Sequence, residues 1–270
     1  MGEQEIMEVL HEPRIGGPRL KAAVFDFDGT ISTLRHGWEG LMEPMMLGAI
    51  APGKRITEDL RREVREYIDK STGIQTIYQM QWLAETVRQR GLEPKDPWEY
   101  KADYNRMILA LAEGRLAEVA RGEKSADDFL VLGSREFLEA LRRAGLLIYA
   151  ASGTDHPDVV REAASLGVLA LFHEITGAPP GVASCSKEAV LRRLIGKKNL
   201  TGAELAVIGD GKVEIALGRE AGAVTIGVAS EEDTRQGVNA AKRRRLAAAG
   251  ADCIIGDFGC PGEILSFLGL

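Results

Sequence analysis

Apolar residues follow two different rhythms along the chain. Residues 20–28, Leu146–Ala151, Leu205–Gly209, Ala223–Val228 and Asp252–Ile255 are nearly continuous apolar runs, with a shorter one at Phe172–Thr176. Runs of this length bounded by small or acidic residues predict buried strands. Between the later runs, Ser134–Ala144 before Gly145, Asp158–Leu166 and Lys187–Ile195 carry helical spacing. Strands alternating with helices predict an α/β fold built on a doubly wound parallel sheet. From Trp38 to Arg121 the rhythm is helical throughout. Trp38–Ile50 stops before Pro52-Gly53, Thr57–Asp69 begins at a capping threonine, Gln75–Arg90 stops before Gly91, and Pro97–Arg121 follows. Leu60, Val64, Tyr67 and Ile68 form one stripe of an amphipathic helix. Such an interval is too long for a simple strand-to-strand crossover and predicts an inserted helical domain. The expected organisation is a loosely held arm over residues 1–19, broken by Pro13, Gly16, Gly17 and Pro18; an α/β core of residues 20–34 and 130–270; and a helical insert over residues 35–129.

Candidate chemistry gathers where the apolar runs end. Val24-Phe25-Asp26-Phe27-Asp28-Gly29-Thr30 closes the first run with two carboxylates one residue apart. Alternate strand residues point the same way, so Asp26 and Asp28 are expected together at the carboxyl end, where open α/β sheets bind ligands. Two carboxylates so close require a cation between them or a proton on one. The second run ends in Ser152-Gly153-Thr154, a turn whose hydroxyl and N–H groups suit a phosphate oxygen. Lys187 opens a helix after the glycine-containing loop 177–186, with Lys197 and Lys198 as alternatives; there an ammonium and a helix N-terminus can face one anion. The third run ends in Gly209-Asp210-Gly211-Lys212-Val213-Glu214. Asp210 is suited to bind a hard cation directly and Glu214 through water.

In this order, these four segments resemble the motifs of the haloacid dehalogenase (HAD) superfamily, across residues 20–34 and about 130–258, and the helical insert resembles that family's C1-type cap. The resemblance implies a Rossmannoid core with a cap that closes over small substrates. It also implies hydrolysis of a small phosphorylated metabolite, a phosphomonoester, through an aspartyl-phosphate with Mg2+ as cofactor. In that scheme Asp26 is the nucleophile and Asp28 the general acid and base. Ser152 and Lys187 hold the phosphoryl group together with Gly29, Thr30 and Gly153. The metal ligands are Asp26, the backbone carbonyl of Asp28, and Asp210, with Glu214 reached through water. Gly211 stands where many members have Ser, and Glu214 where Asp is more frequent. Asp28 disfavours carbon–halogen cleavage, which needs no general acid. A sugar phosphomutase, with His36 and Lys54-Arg55 serving the cap, and a non-catalytic phospho-ligand-binding protein are the alternatives.

Composition narrows this further. Hydrophobic residues make up 45% of 270 residues, charged residues 27%, and the net charge is −6, which argues against a general nucleic-acid binder. No apolar run suits a bilayer and the acidic start Met1–Glu8 is unlike a signal peptide, so no membrane partner and a cytoplasmic location are expected. Cys185, Cys253 and Cys260 have no paired metal-ligand spacing and are expected as reduced thiols. The basic run Lys242-Arg243-Arg244-Arg245 is expected on the solvated face of a helix, Ser230–Asn239 in a loop near the sheet edge, and Trp82 and Trp98 in the core of the insert. The substrate's identity and the oligomeric state are not written in the sequence.

Overall fold

Every apolar run becomes a strand, and the strands lie side by side. A computed structural model describes residues 7–12, 19–179, 181–183, 186–197 and 200–270. The first part contains β1 (Met7–Val9), β2 (Ala22–Phe25) and the helices α1 (Glu39–Ile50), α2 (Glu58–Lys70), α3 (Thr76–Gln89) and α4 (Pro97–Ala120). Then come α5 (Ser134–Arg143), β3 (Leu147–Asp155), α6 (His156–Ser165), β4 (Glu174–Ala178) and α7 (Ser186–Lys197). The chain ends with β5 (Leu205–Gly209), α8 (Lys212–Ala221), β6 (Val224–Val228), α9 (Ala240–Ala248), β7 (Cys253–Ile255) and α10 (Pro261–Phe267).

The sheet order is β1-β7-β6-β5-β2-β3-β4. β1 is antiparallel to β7, and the remaining neighbours are parallel. β2 lies between β3 and β5, with Phe25 opposite both Ala150 and Ile208. The winding direction reverses at the β2/β5 boundary. That boundary is the topological switch point, and a crevice opens beyond the carboxyl ends of its strands.

Both faces of the sheet are covered. On β2 and β5, Ala23, Phe25, Ala206 and Ile208 pack into one core with Phe137, Phe172 and Phe258. Their alternating neighbours Ala22, Val24, Leu205 and Val207 pack into another with Tyr149, Leu191 and Leu194. This is why these strands read as unbroken apolar runs. Helices α1–α4 have a separate core that includes Met42, Met46, Val64, Met80, Leu83 and Ile108. Thr57 caps α2 by accepting the Leu60 N–H at 3.2 Å. Of the expected stripe, Leu60, Val64 and Ile68 are buried, and Tyr67 stacks on Trp82 at 3.8 Å. Trp98 instead is exposed at the helix surface, beside Lys101.

Four expectations change. Met7–Val9, placed in a loose arm, forms the edge strand β1, whose backbone satisfies the outer edge of β7; the Glu8–Arg243 ion pair at 2.5 Å supports it. β2 is shorter than residues 20–28, and the chain leaves the sheet at Asp26, whose N–H still donates to the Ile208 carbonyl at 2.9 Å. Ser152-Gly153-Thr154 is not a turn, because β3 continues through it to Asp155 with a register shift against β4. β4 begins two residues later than the run that predicted it, at Glu174. No helix among the described residues is long and apolar enough to cross a membrane.

Candidate active site at the carboxyl ends of the central strands

Asp26 directly follows β2, Asp210 directly follows β5, and Lys187 is the second residue of α7. The topology therefore brings to one place three residues that are far apart in sequence. Lys187 is buried, and its Nζ lies 3.0 Å from Asp26 Oδ2 and 2.8 Å from Glu214 Oε2. The other Glu214 oxygen accepts the Gly211 N–H at 2.6 Å, which ties the first turn of α8 to the strand end. Burial raises the Asp26 carboxyl well above its ordinary range; Lys187 opposes this, while Glu214, Asp210 and Asp28 add to it. Burial disfavours the Lys187 ammonium, but Asp26 and Glu214 outweigh it and hold its pKa above the usual lysine value.

Asp28 faces a different set of partners. Its Oδ2 accepts from the hydroxyls of Ser152 and Thr154, both at 2.9 Å. Its Oδ1 is buried without a hydrogen bond, 3.6 Å from Arg35 Nε. Arg35 is fixed by the buried Glu162, donating from Nη2 at 2.7 Å and from Nε at 3.2 Å. The two carboxylates at the end of β2 thus face different surroundings, one with lysine and acids, the other with hydroxyls and arginine.

A cavity of about 260 Å³ opens above them. Asp26, Asp28, Gly29, Gly153, Lys187 and Asp210 line it from the sheet side. Ser152 and Thr30 are fully buried and do not line it; the Ser152 hydroxyl supports Asp28 and accepts the Thr154 N–H at 2.9 Å. From the other side, Thr72, Gly73 and Ile74 in the α2–α3 loop and Lys101, Tyr104 and Asn105 on α4 complete the wall. Lys101 Nζ bonds both Asp155 oxygens, at 2.7 and 2.8 Å, and Asn105 adds a bond at 2.9 Å, joining the helical insert to the end of β3.

Asp26, Asp210 and Glu214 each offer a carboxylate oxygen, and these oxygens lie within 4.8 Å of one another. All three are hard donors of the kind that hold Mg2+. The Asp210 carboxylate rests against Gly29, whose φ is +76°; a Cβ there would collide with it. Glycine is therefore required at this position both for conformation and for the closeness of the two strand ends. The donor set fits a small divalent cation.

The structure brings further residues to the site, some of which the sequence pattern assigns to solvated or loop positions. Lys242, expected on a solvated face, is only 14% exposed and lies 3.1 Å from Asp210 Oδ2. The Ser230–Asn239 loop folds over the strand ends, with Ser230 Oγ donating to the Gly29 carbonyl at 2.9 Å. In that loop, Glu232 and Asp233 receive His36 at 3.1 and 2.7 Å. Hydrogen bonding to Glu232, against the effect of burial, raises the His36 pKa to about 9. Burial pushes Glu232 up, but His36 and Lys242 outweigh it and bring it to about 2. Trp38 lines the cavity, whereas Trp82 and Trp98 do not. Cys253 and Cys260 are free thiols, the first buried. Cys185 and Lys198 lie outside the described residues, as does the side chain of Lys197.

The fold and the strand ends together define a doubly wound α/β protein with a buried acid and lysine site at its switch point. The sequence model of the haloacid dehalogenase-like hydrolases matches residues 20–222, and the chain belongs to that family. A predicted phosphoglycolate phosphatase from Haemophilus somnus 129pt is similar in fold, with a TM-score of 0.62 and 20% identity, over 93% of this chain and 100% of that one. So is the β-phosphoglucomutase of Clostridium difficile, with a TM-score of 0.65 and 13% identity, over 93% of this chain and 97% of that one. A hydrolase from Pseudomonas syringae has a TM-score of 0.61 and 17% identity, over 92% and 98% of the two chains. No curated protein sequence matched.

Proposed function

We propose that the chain is a magnesium-dependent phosphomonoester hydrolase that works through an aspartyl-phosphate on a small phosphorylated metabolite. The observation that carries this is Asp26 on the cavity floor, held against Lys187 within the acid group of Asp210 and Glu214. Residues 35–129 act as a cap, and the cavity of about 260 Å³ that they share with the core suits a small leaving group.

Asp26 attacks phosphorus, the bond to the leaving oxygen breaks, and Asp28 gives its proton to that oxygen. Water then attacks the aspartyl-phosphate; Asp28 takes its proton, and phosphate leaves as the Asp26 carboxylate is restored. Ser152 and Thr154 orient Asp28 for both transfers. Lys187 neutralises Asp26 and the phosphoryl oxygens. Gly153 on the cavity wall contributes backbone to the phosphate site, whereas the Gly29 N–H is spent on the Ser32 carbonyl at 2.8 Å and Thr30 is buried behind the cavity. Ser152 acts on the phosphate through Asp28. Mg2+ would be held by Asp26, the Asp28 carbonyl and Asp210, with Glu214 behind, and would supply the charge that lets one anion approach another.

A phosphomutase is less favoured by two observations. Both ring nitrogens of His36 are engaged by Glu232 and Asp233, and Lys54 and Arg55 are exposed away from the cavity. The test is phosphate release from a panel of small phosphate esters, with Mg2+ and then with EDTA, for the wild type and Asp26→Asn. Release that requires Mg2+ and falls by about 10⁴ or more in a folded Asp26→Asn protein is expected. Full activity in that variant excludes the covalent route, and phosphate passed to a sugar instead of water favours the mutase. Tight binding of esters without turnover favours a non-catalytic phospho-ligand-binding protein.

A further inference from the structure

Lys242 is the second ammonium at the strand ends, and its surroundings differ from those of Lys187. It projects from α9 to Asp210 Oδ2 at 3.1 Å, Ser230 Oγ at 3.1 Å and Glu232 Oε1 at 2.5 Å. Two of these acceptors are independent of Asp210 and are themselves fixed. Glu232 turns its other oxygen to His36 at 3.1 Å, and Ser230 donates to the Gly29 carbonyl at 2.9 Å. The ammonium therefore has a seat beside Asp210 that it keeps if Asp210 turns to another cation. Lys242, Asp210 and Glu232 are all less than 15% exposed, so charges here are weakly screened.

We propose that Lys242 is a built-in counter-cation of the metal site. It shares Asp210 with the divalent ion, and loading of that ion moves the ammonium toward Glu232 and Ser230. This rests on the magnesium site proposed above. The chemistry is a competition between two cations for one carboxylate. The tethered ammonium neutralises Asp210 and Glu232 and, as a like charge next to a divalent ion, lowers the affinity for it. Lys187 differs in that its ion-pair partners, Asp26 and Glu214, both belong to the acid group, whereas Lys242 also bonds Glu232 and Ser230 outside it.

The test is calorimetric titration of Mg2+ into the full-length wild type, Lys242→Gln and Lys242→Arg, with melting curves in EDTA and in Mg2+. Lys242→Gln is expected to bind Mg2+ about tenfold or more tightly than the wild type. It is also expected to melt lower in EDTA and to gain more from Mg2+, while Lys242→Arg stays near the wild type. Unchanged or weaker binding in Lys242→Gln overturns the proposal while leaving the magnesium site standing. A wild type that binds no Mg2+ removes the site and this role together. Glu232→Gln provides the check if Lys242→Gln does not fold. It removes the seat to which the ammonium retreats, so Mg2+ binding weakens several-fold, and unchanged or tighter binding counts against the proposal.

Discussion

The cavity has two ends made in different ways. Its floor is made from strand ends and the first turns of helices, with Asp26, Lys187 and Glu214 all buried and in contact. Its roof is made from helix faces and a loop, and its polar bridge, Lys101 to Asp155, keeps side-chain exposures of 11% and 21%. The floor is fixed by sheet register, the roof by packing between two separate cores. Under the proposed function, this division would let one reaction centre serve different leaving groups, and it predicts that substitutions at the two ends fail differently.

The sharpest way to test the contrast is Lys187→Met. It leaves two buried carboxylates without their shared cation, so unfolding free energy should fall by about 3 to 5 kcal/mol, measured by urea denaturation. Phosphate release should fall with it. A loss below about 1 kcal/mol would mean that the floor is not the rigid end. Lys101→Met tests the roof: stability should change by only about 1 kcal/mol, while kcat/KM for the best ester falls about tenfold as the cap docks less well. A stability loss as large as that of Lys187→Met would erase the distinction.

The smallest effect is expected at His36, which joins the linker into the insert to the 230–239 loop. Its folded pKa of about 9 lies above the ordinary 6.5. The ion pairs therefore stabilise the fold fully below pH 6.5, and that contribution is lost as pH rises through 9. Glu232 and Asp233 face the ring directly, and the nearby Glu39 also favours its charge. Because the ring is 31% exposed, the loss should be about 1 kcal/mol. Melting curves from pH 6 to 10 should show this decline in the wild type and a flatter line in His36→Asn. Parallel lines would mean that the imidazole does not carry the coupling.

The same difference explains what could be read from the sequence. Strand ends are local signals: an apolar run followed by Asp26-x-Asp28 or Gly209-Asp210 places both the element and its carboxylates, because the sheet turns distance along the chain into proximity. Family membership followed from those segments. The run around Lys242 is charged among small apolar residues, the pattern of a solvated helix, and does not by itself point to the site. In the fold, that helix, capped by Asn239 at the end of the 230–239 loop, brings the Lys242 ammonium to 3.1 Å from Asp210. Arg35 and Glu162, 127 residues apart, had no shared pattern to reveal them. Ser152 is expected in a turn, but the strand continues through it and directs its hydroxyl to Asp28.

Gly29 sets the tightest tolerance at the floor through an atom it does not have. Asp210 fills the space of the missing Cβ, so the distance between the two strand ends is gauged by backbone against carboxylate. The pairing of Phe25 with Ile208, one residue before Asp26 and two before Asp210, is transmitted to the site without a flexible side chain to absorb an error. The geometry at these strand ends is thus inherited from the sheet rather than from the helices above.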